Sequence, residues 1–253
     1  MSANPMDLSG ATVLVTGASS GIGRETAVLL SSLNARVVLT GRDQGRLEQT
    51  LADLSGQGHR IAAFDLRRVE EIQKWLRALV VETGPFSGLV HAAGVQLSSP
   101  IRFVTVEAAG GLLRTNLMSA IMLMRGFAHK DCHTAESSVV FLSSILGMTG
   151  APCASVYGAS KGALIALARG LAVELAPQRI RVNCVAPGYV RTEMLDQIRE
   201  GLSSEQFEAL QRAHPLGLGV ARDVAHAVAF LVGNTGRWIT GSTLVVDGGY
   251  LAR

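Results

Sequence analysis

Seven short apolar runs, rich in β-branched residues, alternate with helix-length segments along this 253-residue chain, and that alternation limits the folds open to it. The runs read "ATVLVT", "ARVVLT", "RIAAF", "SGLVHAA", "SSVVFLSS", "IRVNCVAP" and "STLVVD". Helical spacing lies between them: "GRETAVLLSSL", segments around 43–55, 69–82 and 105–128, "YGASKGALIALARGLAVELA", an excursion around 192–213, and "ARDVAHAVAFLVG". Strands this uniformly apolar are buried on both faces, which predicts a parallel sheet covered by helices on each side, the doubly wound α/β architecture. Right-handed crossovers set its hand. With 48% hydrophobic and 17% charged residues the chain can fill a deep core, and no linker, repeat or low-complexity tract divides it. The expectation is one domain over 1–253 with a helical flap around 192–214.

The first strand runs into "TGASSGIG", with Gly17, Gly21 and Gly23 where the chain passes from strand to helix. Bare backbone there lets a pyrophosphate approach, and the first turn of the helix offers free N–H groups and a positive dipole end. The second strand ends in "LTGRD", at the distance where a dinucleotide fold places an acidic residue on the adenosine ribose. Here Gly41 and Arg42 stand instead. A guanidinium without a carboxylate suits a 2′-phosphate, so NADP(H) is expected over NAD(H). Arg24 either assists or points to solvent.

Tyr157 and Lys161 lie four apart in "YGASK" and so share a helix face. A free phenol titrates near pH ~10, and a nearby ammonium and a cationic nicotinamide favour its anion; a fall to about 7 corresponds to about 4 kcal/mol. Tyr157 is thus a candidate general acid/base. Ser144 ends a strand thirteen residues upstream, which brings its hydroxyl to the carboxyl edge of the sheet.

Taken with "FDL", "HAAG", "RTNL", "FLSS", "NCVAPGYVRT" and "ITGSTLVVDGG", these motifs make the chain resemble the short-chain dehydrogenase/reductase family over essentially its whole length. The resemblance implies a Rossmann-type sheet of about seven strands and a tetrad of Asn116, Ser144, Tyr157 and Lys161. In the family the serine orients the carbonyl, the tyrosine exchanges the proton, the lysine holds the nicotinamide ribose and lowers the tyrosine pKa, and the asparagine supports a water-linked relay. Cofactor contacts are implied for Thr16, Gly17, Ser19, Ser20, Gly21, Ile22 and Gly23, for Arg42, Asp65 and Leu66, and for Ala92, Ala93 and Gly94. They are implied also for Tyr157, Lys161, Pro187, Gly188, Val190 and Thr192. Asp65 would meet the adenine and Gly94 the adenosine ribose, while Pro187, Gly188 and Thr192 would border the nicotinamide and phosphates. "HAAG" stands where the family commonly has Asn-Asn-Ala-Gly, so Ala92 replaces an amide that often ties strands together, and His91 reads as a packed strand residue. The resemblance also implies a homotetramer through the helices around 105–128 and 157–175.

Hydride exchange with a carbonyl or secondary alcohol follows from that site. The substrate segments "VQLSS", "ILGMTGAPCAS" and 192–214 are mostly apolar or neutral, which favours a neutral or acyl-chain ketone. The nearest likeness is to 3-oxoacyl-acyl carrier protein reductases, although "HTAESS" with Glu136 stands where those commonly carry basic residues. Another ketone (a hydroxysteroid, a diketone or a sugar-derived compound) and a non-catalytic NADP(H) sensor are the alternatives.

Other function classes are disfavoured. The net charge of +3 is scattered, with only three Tyr and two Trp, which argues against nucleic acid. In "HKDCH", His129 and His133 would share a helix face beside Cys132, but no second ligand group accompanies them and no metal is expected. Three cysteines, an N-terminus without a leader pattern and apolar segments interrupted by Arg169 and Glu174 are read as a cytoplasmic protein outside the membrane.

Overall fold

The computed structural model describes residues 4–252. Its elements run β1 (Thr12–Thr16), α1 (Gly21–Ser32), β2 (Arg36–Thr40), α2 (Gln44–Ala52), β3 (Arg60–Ile61), α3 (Ile72–Thr83), β4 (Phe86–His91), α4 (Val106–Leu113) and α5 (Ser119–Phe127). They continue with β5 (His133–Leu142), α6 (Ser155–Glu174), β6 (Arg181–Pro187), β7 (Val190–Arg191), α7 (Glu193–Glu200), α8 (Ser204–Arg212), β8 (Gly219–Val220), α9 (Ala221–Val232) and β9 (Thr243–Val246). Seven strands form one parallel sheet in the order β3-β2-β1-β4-β5-β6-β9. The chain winds outward from β1 to β3, then returns to β4 on the other side of β1. A crevice therefore opens at the carboxyl ends of β1 and β4, where the winding reverses.

Successive side chains of a strand point to opposite faces, and β1 shows it: Leu14 joins one core, Val13 and Val15 the other. The first core packs Leu76 of α3, Phe127 of α5 and Leu164 of α6 against Phe86, Leu89 and Phe141. The second packs Ala27 and Leu30 of α1 and Val228 of α9 against Val37, Val140 and Val185. Burying each such aliphatic side chain contributes about 1.5–3 kcal/mol. α6 is the one helix among the described residues long and apolar enough to cross a membrane, despite Arg169 and Glu174, yet its Leu164, Ile165 and Ala168 face the first core. The sheet thus accounts for one face of its apolarity, while Val173 is exposed.

The helix expected around 105–128 is interrupted by a π-helical turn at Arg114–Met118. "HKDCH" does not lie on one helix face, because α5 ends at Phe127 and His133 opens β5; no metal-ligand group occurs among the described residues. The excursion at 192–213 is α7 and α8, with α8 opened by a reciprocal capping box between Ser203 and Gln206. Its two ends meet in the parallel pairing of Val190 with Gly219 and Arg191 with Val220.

Two contacts fix the crevice. Gly17 has φ +66, and a Cβ there would lie 2.7 Å from the Ala93 nitrogen; a Cβ on Gly23 would lie 2.2 Å from the Gly17 oxygen. Both glycines are therefore required by the protein's own backbone. Gly21, at φ +51, meets nothing nearer than Thr192 Cγ2 at 3.4 Å. The second contact is His91, wholly buried, whose Nδ1 lies 3.0 Å from Thr16 Oγ1 and whose Nε2 lies 3.3 Å from Ser119 Oγ. It joins β1, β4 and α5, so the tie expected to be lost with Ala92 is made one residue earlier. Burial, helped by the Lys161 charge, holds the imidazole neutral with its pKa lowered to about 3.

Gly17→Ala is expected to cost about 2–4 kcal/mol, from overpacking plus a left-handed alanine, and Gly21→Ala only about 1 kcal/mol; urea midpoints at pH 7 measure both. His91 yields a pH signature. Its native pKa lies below the ordinary histidine value, so the unfolded chain takes up a proton between pH ~6.5 and ~3 that the native state refuses, and stability is lost as the pH is lowered through that window. Between pH 7 and 5, wild type should lose about 1–2 kcal/mol more than His91→Asn, and parallel loss in the two proteins contradicts the assignment.

Candidate active site

The carboxyl ends of β4, β5 and β6 deliver three short segments to the crevice. Ser144, just past β5, caps a single 3-10 turn and accepts the Leu146 N–H at 3.1 Å. That turn packs against α6 without intervening side chains: a Cβ on Gly147 would lie 2.6 Å from the Gly162 nitrogen, and one on Gly158 would lie 2.5 Å from the Leu146 oxygen. This close approach sets Ser144 near the Tyr157 phenol, where its hydroxyl favours the phenolate. Nothing in the spacing of "YGASK" announced the role of Gly158. A glycine inside an otherwise strong helix was the available signal.

Lys161 is buried and donates from Nζ to the Leu142 carbonyl at 2.7 Å, with Nζ 5.7 Å from the centroid of the Tyr157 ring. Its backbone carbonyl accepts from Ser143 Oγ at 2.8 Å. Desolvation lowers the Lys161 pKa to about 8. It raises that of Tyr157 to about 12, against the opposing hydrogen bond from Ser144. The expected lowering of Tyr157 by Lys161 is thus not seen in the protein alone: burial raises the phenol, Ser144 alone opposes it, and the second positive charge invoked for the phenolate belongs to a cofactor.

Asn116 reaches the site through the π turn and is fully buried. Its Oδ1 accepts the Val95 N–H at 2.8 Å, and its Nδ2 donates to the Val95 carbonyl at 2.9 Å and to Ser160 Oγ at 3.1 Å. The side-chain amide clamps the loop after β4. A Cβ on Gly94 would lie 3.3 Å from Lys161 Nζ and 3.4 Å from Asn116 Oδ1, which accounts for the glycine at the end of "HAAG".

Ser144, Tyr157 and Lys161 open on one cavity, lined also by Ile22, Ala92, Gly94, Pro187, Gly188, Val190 and Thr192, whereas the fully buried Asn116 is not part of its lining. The cavity's apolar lining comes from Ile145 and Leu146, directly after Ser144, and from Met194, Leu195 and Ile198 of α7; Gln96, in the expected "VQLSS" segment, and Tyr189, not singled out from the sequence, are polar members. Of the remaining candidates, Thr16 and Ala93 face inward: Thr16 Oγ1 accepts the Ala93 N–H at 3.2 Å and meets His91. Gly17 and Gly23 are engaged with backbone, and Leu66 is in the core.

The arrangement fits a dinucleotide. Ser20 precedes α1 without using its side chain as a cap, no acidic residue occupies the first turn, and Gly21 faces the Thr192 side chain rather than backbone. Ser19 lies close to Gly41 at the end of β2, and the next residue, Arg42, is exposed and makes no hydrogen bond or ion pair among the described residues. Asp65, past β3, is held by Arg67 at 2.6–3.1 Å, which depresses its carboxyl pKa with help from Arg42. Arg24 is paired with Asp53 at 2.5 Å.

A family profile described as Enoyl-(Acyl carrier protein) reductase matches residues 17–251. The 3-oxoacyl-[acyl-carrier-protein] reductase of Rickettsia prowazekii (strain Madrid E) is 35% identical over 247 residues, 97% of this chain and 99% of that protein. A putative short-chain alcohol dehydrogenase from Sinorhizobium meliloti 1021 superposes with a TM-score of 0.91 at 34% identity, covering 98% of this chain and 99% of that one. A putative 2-deoxy-d-gluconate 3-dehydrogenase from Agrobacterium tumefaciens, with bound NADP, gives 0.88 at 28% identity, covering 99% and 100%. With its seven-stranded parallel sheet and these matches over nearly the full length, the chain belongs to the short-chain dehydrogenase/reductase family, oxidoreductases acting on CH–OH and C=O groups.

Proposed function

We propose that the protein is an NADP(H)-dependent reductase of 3-oxoacyl thioesters. The observation that carries this reading is the Tyr157 phenol, set with Ser144 and Lys161 on one cavity whose remaining lining is largely apolar. NADPH, when bound, supplies a hydride to the carbonyl carbon. The first turn of α1 and Thr192 would hold its phosphates, Arg42 its 2′-phosphate, Asp65 the adenine side and Lys161 the nicotinamide ribose. Ser144 Oγ holds the substrate oxygen, and Tyr157 gives that oxygen its proton, leaving a secondary alcohol and a phenolate. A phenol with its pKa raised to about 12 carries a proton at neutral pH, which suits reduction. The Lys161 ammonium then stabilises the anion left behind. Asn116 keeps the loop after β4 in place beneath the ribose.

The apolar wall of Ile145, Leu146, Met194, Leu195 and Ile198 accommodates an acyl chain, and the Rickettsia relative is named for a 3-oxoacyl substrate. A second reading, a reductase of another ketone, is favoured by the ion pair of Glu136 with Arg179 at 2.6 Å, which neutralises a cation where an acidic carrier protein would seek one. A sensor role is disfavoured because all four tetrad residue types are in place. The cytoplasmic setting agrees with unpaired thiols at Cys132, Cys153 and Cys184. Self-association is supported by exposed Val106, Leu113 and Met118 on the α4–α5 segment and Val173 on α6.

NADPH oxidation with acetoacetyl-CoA tests the reading. Tyr157→Phe should lose about 10²–10⁴-fold in kcat while still binding NADPH. Arg42→Ala should weaken NADPH about 10–100-fold and leave NADH almost unchanged. Tight NADPH binding without thioester turnover rejects the substrate and retains the cofactor site. Sedimentation at micromolar concentration should give a species larger than a monomer, and a monomer rejects the assembly.

A further inference from the structure

His214 lies at the end of the helical flap and is 3% exposed, yet it takes no part in the chemistry above. Both ring nitrogens are used. Nδ1 lies 2.9 Å from the Leu210 carbonyl in the last turn of α8, and Nε2 lies 3.2 Å from the backbone nitrogen of Tyr189. A carbonyl only accepts and a backbone N–H only donates, so Nδ1 must carry the hydrogen and Nε2 must be bare. One neutral tautomer satisfies both partners, and neither the doubly protonated ring nor the other tautomer does.

The ring is also an anchor for packing. It stands edge-on to Tyr189, with centroids 5.8 Å apart at 88°, and lies 4.9 Å from the Tyr250 ring. A Cβ on Gly188 would come within 3.1 Å of Nε2 and 2.9 Å of Asp247 Cα, so the glycine after Pro187 is required by the approach of these residues. Tyr189 lines the cavity between Gly188 and Val190, across from Tyr157, whose titration senses it. The flap is therefore joined to the Tyr189 wall by this imidazole as well as by the β7–β8 pairing and the Gly219 N–H, which donates to the Tyr189 carbonyl at 3.3 Å.

We propose that His214 is a positioning residue: by accepting the Tyr189 N–H while donating to α8, it locks the Tyr189 wall to the flap and sets how tightly a ketone is held. This rests on the reading of the cavity as a ketone site. It does not require the ketone to be a 3-oxoacyl thioester.

Three variants separate the bond from the bulk. In His214→Gln the side-chain carbonyl reaches the place of Nε2 and can accept from Tyr189. Asn in His214→Asn reaches only the place of Nδ1, and His214→Phe keeps a ring with neither bond. KM for acetoacetyl-CoA should stay within about 3-fold of wild type in the Gln variant and rise about 10-fold in the other two, with kcat and NADPH affinity within about 2-fold throughout. Amide exchange at Tyr189 should be slow in wild type and the Gln variant and fast in the Asn and Phe variants. Equal KM in all four proteins overturns the proposal. So does NADPH affinity falling in step with KM, since His214 would then support the fold in general. The exchange measurement needs no substrate: fast exchange at Tyr189 in wild type overturns the proposal whatever ketone is reduced. Slow exchange there, with the Asn and Phe variants fast, sustains it even if acetoacetyl-CoA is not turned over, which would reject only the thioester reading, and the KM comparison then uses the ketone that is reduced.

Discussion

The carboxyl ends of β1 and β4 approach until no side chain fits between them, and the site is built around that approach. Gly17 lies against the backbone of Ala92 and Ala93, Gly23 against Gly17 itself, and Thr16 meets His91 at the same level of the sheet. Because these contacts are between backbone segments, the turn into α1 has little freedom to shift, and the free N–H groups of α1 face the crevice in a fixed direction. The glycine-rich signature therefore has two physical origins. Gly17 and Gly23 are required by contacts with backbone, whereas a Cβ on Gly21 would only touch the Thr192 side chain.

The same economy of volume recurs at the chemical end. Ser144 and Tyr157 meet because Gly147 and Gly158 allow the 3-10 turn to rest directly on α6. Burial then governs the electrostatics: it lowers Lys161, raises Tyr157 and keeps His91 neutral. A dry site of this kind favours neutral species until a charged ligand enters, so the proton stays on the phenol while the crevice holds protein groups alone. Charge on the ligand is then what alters the balance.

Much of this could be read from the residues in order. The seven strands, the shared helix face of Tyr157 and Lys161 and the place of Ser144 at the carboxyl edge follow from short-range pattern plus the rules of parallel sheets, while the reversal of winding at β4 is seen only in the fold. What escaped depends on contacts distant in sequence. The tie made by His91 joins Thr16, 75 positions away, to Ser119, 28 away. The π turn that carries Asn116 inward leaves no mark on the apolar periodicity of 105–128, and the phenol's burial requires elements from three parts of the chain. "RIAAF" forms ladder pairs only at Arg60 and Ile61, with Ala62 and Phe64 continuing as isolated bonds to Leu39 and Gly41. His214 could be read from the sequence only as the edge of a helix.

The pairing of β7 with β8 brings the departing and returning ends of the flap side by side, two residues against two. The segment between them, α7 and α8 included, is held by that ladder, by the His214 bond to Tyr189 and by the Leu216 N–H on the Gly248 carbonyl, and contributes three apolar side chains, Met194, Leu195 and Ile198, to the cavity. Lengthening such a loop adds only a fraction of a kcal/mol in closure entropy for each doubling. The segment is thus a replaceable cassette: evolution can rewrite which molecule is admitted by exchanging residues 193–212, leaving the sheet, the crevice and the proton donor untouched.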